Sequence, residues 1–158
     1  KNLIHPEFVE CLQILDEKVT PSDGKNPSGE LEMHWQLLKN AKGTRCVLHV
    51  HSTHIVAAMY AGWDLKNMAL QFPEIYRYTK VGPNVPVLPA ISQALADETS
   101  KALGLEGGKL QYDVVGQGNH GVCAVGKNPW DAYEHIERLE HICQIVLNSG
   151  VRPSIMNL

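Results

Sequence analysis

The sequence lacks the patterns that are typical of several large classes of protein. No run of apolar residues approaches the length of a transmembrane helix, and no glycine-rich phosphate-binding motif follows a strand-like segment. A dinucleotide-binding fold is therefore not expected. The 158 residues include 14 basic and 17 acidic side chains, and the formal net charge of −3 gives no electrostatic reason to expect nucleic acid or an anionic membrane as a partner.

The four cysteines are scattered and form no CxxC pair. Three of them, Cys46, Cys123 and Cys143, lie in apolar sequence, where reduced core thiols are the plain interpretation, and this points to the cytoplasm. Hydrophobic residues make up 44% and charged residues 20% of the chain, as in ordinary soluble globular proteins. The length suits one domain, which we place over residues 1–158.

Four segments have the apolar periodicity and the end signals of helices, namely residues 29–43, 53–62, 90–103 and 129–148. In the first of them, the residues that recur at helical spacing are Leu31, Trp35, Leu38 and Ala41. The last has the clearest start, because Asn128 is a good N-cap and Pro129 suits the first helical position. Its buried stripe is expected to comprise Ala132, Ile136, Leu139, Cys143 and Val146.

Strand patterns occupy residues 45–52 and two β-rich runs within 110–126, where a glycine-rich bend separates the runs. Residues 6–16 fit either a strand or a short helix, and 21–29 is a loop by composition. The stretch 63–89 holds four prolines and is predicted to consist of extended segments and turns. The predicted strands and helices alternate irregularly along the chain. This order predicts an α/β layered domain with a mixed or antiparallel sheet, rather than a doubly wound one.

Two histidines on the first predicted strand have the spacing of a shared metal site. Because side chains alternate faces along a strand, His49 and His51 emerge on one side, while Cys46, Leu48 and Val50 point into a core layer on the other. A catalytic zinc ion usually has three protein ligands and an open position for water or substrate. The pair alone is equally consistent with histidines that only satisfy backbone groups.

His120 is the preferred third ligand, because it lies in GQGNHG, where glycines give the backbone the freedom to aim a side chain. His54 follows the strand and begins a helix, so a supporting or helix-capping role fits it better. His34 lies beside the buried stripe of the first helix and is expected to be a hydrogen-bonded core residue. His135 and His141 fall on the last helix and are expected to be partly exposed.

Chemistry at a metal-bound carbonyl also needs a general base, and Glu30 is the preferred candidate because it follows a loop and opens a helix. Taken alone, the physics of the residues favours an ordinary first-turn glutamate that stabilises its helix, and Glu32 shares this ambiguity. Tyr76 and Tyr78 are candidate proton donors. A surface or subunit contact is the simpler interpretation of these two amphipathic side chains.

Three motifs, PSGELEMH, LHVHSTH and GNHGVCAVGKNPWDAYEHIERLE, occur in this order along the chain. Together they resemble the class II aldolase/adducin head family, and within it the sugar-phosphate aldolases of the fuculose-phosphate type. The resemblance runs from about Pro27 to Val146. It implies a three-layer α/β/α domain around a mostly antiparallel sheet, assembled as a homotetramer with sites at subunit interfaces.

The resemblance also assigns roles to individual residues. Glu30 matches an acid that serves as metal ligand or catalytic base, while Ser28 and Gly29 match the part of the motif that contacts substrate phosphate. Tyr76 lies near the position of a tyrosine that acts as proton donor from the adjacent subunit. A divalent metal ion, zinc by preference, is implied at His49, His51 and His120.

Two features depart from the family pattern. The N-terminal helix and the strand pair that carry the family's Gly-Asn and Thr-Gly phosphate-binding motifs have no counterpart, so we expect the chain to lack the family's N-terminal segment. The C-terminal VRPSIMNL lacks the tyrosine-bearing tail of some members.

Two branches of the family fit the chain less well. Glu30 stands where the epimerase branch usually has Asp, which disfavours a pentose-phosphate epimerase. The adducin-like branch lacks the three histidines that this chain keeps, which disfavours a purely structural protein.

The activity implied by the resemblance is metal-dependent retro-aldol cleavage of a ketose 1-phosphate or a similar small sugar phosphate, through a zinc-stabilised enediolate. A dehydratase, a decarboxylase and an epimerase of the same family remain alternatives. From a different class, the chain could be a non-catalytic relative that acts as an interaction module. No residue identifies the aldehyde part of the substrate.

Overall fold

The computed structural model describes residues 13–15, 18–20 and 27–153 of the chain. Within these residues there are five strands and six helices. In chain order they are β1 (Gln13–Leu15), β2 (Lys18–Thr20), α1 (Leu31–Asn40), β3 (Cys46–Val50), α2 (Thr53–Tyr60), α3 (Leu65–Ala69), α4 (Pro73–Tyr78), α5 (Gln93–Ala102), β4 (Val114–Gln117), β5 (Gly121–Gly126) and α6 (Pro129–Asn148).

Three of the strands form the central sheet in the order β3-β5-β4, and both neighbouring pairs are antiparallel. The register pairs Val50 with Val122 across β3 and β5, and Gln117 with Gly121 across β4 and β5. The C-terminal end of β3 therefore lies beside the turn that joins β4 to β5. The strands β1 and β2 form a separate antiparallel pair.

Helices cover both faces of the central sheet. On one face, α1 and α5 bury Met33, Leu37 and Leu95 against strand residues that include Val47 and Cys123. On the other face, α2 and α6 build a second core, whose fully buried members include Ile55, Val114, Val122, Leu139 and Cys143. The prediction of a three-layer α/β/α domain around an antiparallel sheet is confirmed. Among the described helices, none is long and apolar enough to cross a membrane.

The predictions for β3, for the β4–β5 hairpin and for the last helix are confirmed. The Asn128 side chain caps α6 by accepting a hydrogen bond from the backbone N–H of Asp131 at 2.9 Å. All five predicted residues of the α6 stripe are buried. The alternation of β3 is also as expected, because the core layer beneath α2 and α6 is contacted by Cys46, Leu48 and Val50.

The helix predicted at 29–43 is present as α1, but its buried face is not the one predicted. Met33 and Leu37 are buried, as is Ala41 just beyond the helix, whereas Leu38 is 38% exposed. Both sets of apolar residues have helical spacing, so periodicity could not choose between them. The packing of α1 against α5 and β3 selects the face that carries Met33 and Leu37.

The prediction of extended segments and turns for residues 63–89 is wrong in its first half, where α3 and α4 lie. The side chain of Asp64 caps α3 by accepting a hydrogen bond from the backbone N–H of Asn67 at 2.9 Å. Pro73 occupies the first turn of α4, where its missing N–H would have had no partner within the helix. This proline therefore starts a helix instead of interrupting one.

Some predictions fall partly outside the described residues. Of the segment 6–16, Gln13–Leu15 forms β1, and of the predicted loop 21–29 only the last three residues are described. Cys11 also lies outside the described residues. The other three cysteines are free thiols, as predicted, but only Cys123 and Cys143 are core residues, and Cys46 is half-buried at the edge of the core. Burial raises the pKa of both Cys123 and Cys143 to about 12.

Candidate metal centre

The imidazoles of His49 and His51 meet at the C-terminal end of β3, where their Nε2 atoms are 3.2 Å apart. The Nδ1 of His49 donates a hydrogen bond to the carbonyl oxygen of Val122 at 3.1 Å, so the lone pair of Nε2 remains available. Two nitrogen ligands of a tetrahedral zinc ion, each about 2.05 Å from the metal, lie about 3.3 Å from one another. The two histidines therefore have the spacing that a shared ion requires.

His120 reaches the same place from the turn between β4 and β5. Its backbone N–H donates to the carbonyl oxygen of Gln117 at 2.9 Å, and Asn119 supports the tight turn with a left-handed φ of 53°. The centroid of the His120 ring lies 5.1 Å from that of His49 and 4.9 Å from that of His51. One nitrogen from each of the three rings falls within 4.8 Å of the others. These three side chains could hold one metal ion.

The protonation of His49 also suits a metal ligand. Burial, followed by the neighbouring imidazoles of His120 and His51, lowers the pKa of His49 to about 4. The ring is therefore neutral at pH 7, and a neutral imidazole is the form that binds a metal. The Nδ1 atom of His120 is buried and has no hydrogen-bond partner among the described residues. A neutral imidazole at His49 beside an unpaired buried nitrogen of His120 fits a divalent ion.

Glu30 supplies a carboxylate at the edge of this cluster. It is the N-cap residue of α1, only 9% exposed, and its Oε1 lies 3.7 Å from Nε2 of His120. The same oxygen accepts a hydrogen bond from the backbone N–H of Ile91 at 3.1 Å. The N–H of Glu30 is itself directed at Oγ of Ser28, at 3.3 Å. The side chain thus does not cap its own helix and reaches towards His120.

Gly29, beside Glu30, lies directly under the side chain of Ile91, which would have to shift to admit a Cβ. A Cβ at this position would lie 2.7 Å from Cδ1 of Ile91. Ile91 has a φ of 60°, a left-handed conformation that a β-branched residue rarely adopts. Sequence reasoning missed Ile91, since its residue type opposes the conformation that it takes. No local signal marks it as a partner of Glu30.

Gly121 is a second residue of the site that the sequence reasoning did not single out, although it belongs to the NHG motif. A Cβ there would lie 2.7 Å from the carbonyl oxygen of Val50, 2.9 Å from Cε1 of His49 and 3.0 Å from Cδ2 of His51. Because Gly121 has no side chain, the imidazoles of His49 and His51 can pack across the start of β5. The His-Gly pair thus contributes one candidate ligand and the space for two others.

A cavity of about 520 Å³ adjoins the histidine cluster. Its wall is formed mainly by one side of α2, and it opens next to two of the candidate ligands. The lining residues are His51, Ser52, Thr53, Val56, Ala57, Tyr60, Asn119 and His120. A small molecule held in this cavity would lie in contact with the candidate metal centre.

The candidate tyrosines lie elsewhere in the described chain. Tyr76 and Tyr78 are 67% and 52% exposed on α4, which packs on the α6 side of the sheet, whereas Glu30 belongs to the α1 side. The Tyr78 ring is contacted by the guanidinium groups of Arg77 and Arg138. The structure of this single chain therefore does not bring either tyrosine to the histidine cluster.

The other histidines occupy structural or surface positions. His34 is half-buried, and desolvation lowers its pKa against the opposing effect of a hydrogen bond with the Val47 backbone. His135 is also half-buried, with its Nδ1 3.0 Å from Oγ1 of Thr79. His141 is exposed. None of these three belongs to the metal-binding cluster found within the described residues.

The antiparallel α/β/α fold, with three clustered histidines and an adjacent carboxylate, defines a class of domain with a candidate metal site, and the comparison with known families names this class. The model of the Class II Aldolase and Adducin N-terminal domain matches residues 2–147. The chain belongs to this family. The resemblance inferred from its three motifs is therefore confirmed.

Several relatives and solved structures carry the comparison further. The L-fuculose phosphate aldolase of Methanococcus maripaludis (strain C5) is 29% identical over 119 residues, which cover 75% of this chain and 60% of the relative. The 3-oxo-tetronate 4-phosphate decarboxylase of Pectobacterium atrosepticum is 30% identical over 132 residues, 82% of this chain and 57% of the relative. A sugar-phosphate aldolase from Thermotoga maritima superimposes with a TM-score of 0.66 and 25% identity, covering 85% of this chain and 60% of that one. This chain thus spans about 60% of the length of these proteins.

Proposed function

We propose that the protein is a zinc-dependent, aldolase-type lyase that cleaves a ketose 1-phosphate or a similar sugar phosphate. The observation that carries this proposal is the convergence of His49, His51 and His120, with the Glu30 carboxylate 3.7 Å from the last of them. Three imidazoles leave one tetrahedral position open, which is the ligand set of catalytic rather than structural zinc sites. The aldolases among the relatives support the same reaction class.

The proposed mechanism assigns one task to each group. A divalent ion held by the three histidines would act as a Lewis acid towards the substrate carbonyl. Glu30 would deliver a proton to the carbon that carbon–carbon cleavage leaves electron-rich, and would retrieve it in the reverse condensation. Its nearly complete burial favours this task, since water is kept away from the carboxyl group. Ser28 and Gly29, which adjoin Glu30, would contact the substrate phosphate.

In cleavage, the hydroxyl group that becomes the aldehyde loses a proton, and in condensation the aldehyde oxygen gains one. We propose Tyr76 as the group that takes up and returns this proton. Its 67% exposure and its position away from the cluster mean that it would act in a neighbouring copy of the chain. This assignment goes together with the proposal of a homotetramer that has its sites between subunits. Light scattering and a Tyr76→Phe variant test the two parts separately.

The test of the main proposal combines metal analysis with a product assay. We expect His49→Ala to lose bound zinc together with cleavage of ketose 1-phosphates, because one of three ligands is removed. Glu30→Gln should keep zinc and lose roughly 10²–10⁴-fold in turnover, the usual contribution of a general acid or base. His141→Ala is the matched control, since it removes an exposed histidine outside the cluster. Full zinc content and full activity in His49→Ala would refute the ligand assignment.

A second candidate reaction is the decarboxylation of a sugar-acid phosphate. The 30% identity with the 3-oxo-tetronate 4-phosphate decarboxylase favours it, and both reactions leave an electron-rich carbon that Glu30 could protonate. A product screen separates the two, because cleavage of a ketose phosphate yields an aldehyde while decarboxylation releases carbon dioxide.

A further inference from the structure

Glu140 on α6 forms a group of hydrogen bonds that the proposed function does not use. Its carboxylate reaches the first turn of α2, 86 positions earlier in the chain. Oε1 accepts from the backbone N–H of His54 at 3.1 Å and from Nδ1 of the same residue at 2.8 Å. Oε2 accepts from the backbone N–H of Ile55 at 3.0 Å. One side chain therefore satisfies three donors at the start of another helix.

These bonds replace the cap that α2 does not supply for itself. Ser52 occupies the N-cap position but makes no side-chain hydrogen bond there. The first N–H groups of a helix have no partners within it, and a negative charge beside them is stabilised by the helix dipole. The side chains of His54 and Glu140 are only 34% and 28% exposed, which reduces screening by water. Glu140 thus fixes the start of α2 against α6.

The anchored segment begins directly after a candidate metal ligand. β3 and its register with β5 end at Val50, so His51 is the first residue beyond the sheet, and it is exposed. Only Ser52 and Thr53 separate it from His54. His49 is held inside the strand, and His120 is held by a closed turn. The position of His51 depends most on where α2 begins.

Its anchor point is rigid because α6 is packed firmly on the sheet. Leu139 and Cys143, on either side of Glu140 in sequence, are fully buried in the core beneath α2 and α6. A carboxylate projecting from this part of α6 therefore has little freedom. Through its hydrogen bonds, this carboxylate holds the segment that carries His51 in a fixed position relative to the sheet.

We propose that Glu140 is a positioning residue of the metal centre, which holds the N-terminus of α2 so that His51 stays 3.2 Å from His49. This inference rests on the proposed metal-binding function. It concerns the geometry of the ligands. It predicts that removing Glu140 lowers metal affinity more than removing a helix cap elsewhere in the chain does. Loss of an outer hydrogen-bond partner of a metal ligand typically weakens metal binding roughly 10–100-fold, and we expect a loss of the same order when the segment that carries His51 loses Glu140.

The experiment compares Glu140→Ala and Glu140→Gln with Asn128→Ala in the full chain. Asn128→Ala is the matched control, because it removes the N-cap of α6, near the opposite end of β5 from the histidines. Zinc affinity is measured by chelator competition, ligand geometry by the visible spectrum of bound cobalt, and stability by urea unfolding of the metal-free protein. Glu140→Ala should bind zinc roughly 10–100-fold more weakly with an altered cobalt spectrum. Asn128→Ala should lose stability only.

The conservative Glu140→Gln variant keeps one acceptor oxygen and the shape of the side chain. It should recover part of the lost affinity, and it provides a folded protein if the alanine variant does not fold. If the wild type binds zinc, but Glu140→Ala has the same zinc affinity and cobalt spectrum as Asn128→Ala, the proposed role of Glu140 is overturned while the metal centre is not. Absence of zinc binding in the wild type would overturn the metal centre and this inference together.

Discussion

Ile91 is the most strained residue near the candidate site. Its φ of 60° costs an L-amino acid roughly 1–2 kcal/mol, because Cβ approaches the following carbonyl oxygen. In this conformation its N–H points at Oε1 of Glu30 at 3.1 Å, and its side chain lies over Gly29. The strain thus accompanies a hydrogen bond that holds the carboxylate towards His120. Strained backbone of this kind is common where a site needs a fixed geometry.

We predict that Ile91→Asn stabilises the protein. Asparagine adopts the left-handed conformation more readily than a β-branched residue, and little apolar burial is lost because Ile91 is 69% exposed. The free energy of unfolding in urea should rise by about 1 kcal/mol. Val87→Asn is the control, since Val87 is a β-branched residue of similar exposure, 67%, without a positive φ. Equal effects of the two substitutions would show that Ile91 stores no strain.

At the scale of elements, the β4–β5 hairpin and the end of β3 build the cluster jointly. The hairpin turn carries His120, while the first residue of β5, Gly121, leaves room for the imidazoles from β3. Gly116 lies one pair further along the same hairpin, opposite Val122. A Cβ on Gly116 would clash with the side chains of Leu65 and Met59, on the α2 side of the sheet. The two glycines therefore allow the faces of one hairpin to be tested separately.

We predict that Gly121→Ala impairs zinc binding. The added methyl group would lie 2.7 Å from the carbonyl oxygen of Val50 and 2.9–3.0 Å from ring atoms of His49 and His51, so the end of β3 and both rings must shift. We expect a loss of roughly tenfold or more in zinc affinity, measured by chelator competition. Gly116→Ala should cost about 1–3 kcal/mol of stability through overpacking and leave zinc affinity unchanged. Unchanged zinc affinity in Gly121→Ala would contradict the assignment of His49 and His51 as joint ligands.

At the scale of the whole molecule, the candidate ligands come from distant parts of the chain. His49 and His51 precede His120 by about 70 residues, and the antiparallel register of β3 and β5 brings them together. The unfolded chain holds no such arrangement, so an ion that binds the cluster stabilises the folded state. At a free zinc concentration 100 times the dissociation constant, the gain is about 2.7 kcal/mol.

We therefore predict that zinc raises the unfolding temperature of the metal-free protein by roughly 5–10 °C at that concentration. Calorimetry of protein stripped with a chelator measures the change. His120→Ala should abolish most of the zinc-dependent increase, while His141→Ala should retain it, because His141 lies outside the cluster. An increase of equal size in both variants would point to zinc binding elsewhere on the molecule.

Features encoded over a few neighbouring residues could be predicted from the sequence. The Asn128 cap and the apolar spacing of the last helix defined α6 and its buried stripe, since capping and helical periodicity act within a few turns. Strand alternation placed Cys46, Leu48 and Val50 in the core and the His-x-His pair on the other face. The motif set also identified the family and, through it, the three-layer fold.

Features that depend on contacts between distant residues were decided only by the tertiary structure. Helical spacing allowed two faces of α1, and packing against α5 and β3 chose the one with Met33 and Leu37. The hydrogen bonds from Ile91 to Glu30 and from the start of α2 to Glu140 join residues 61 and about 86 positions apart. Local residue preferences contain no information about such partners. The sequence by itself thus determined the candidate ligands, and the folded chain decided which groups orient them.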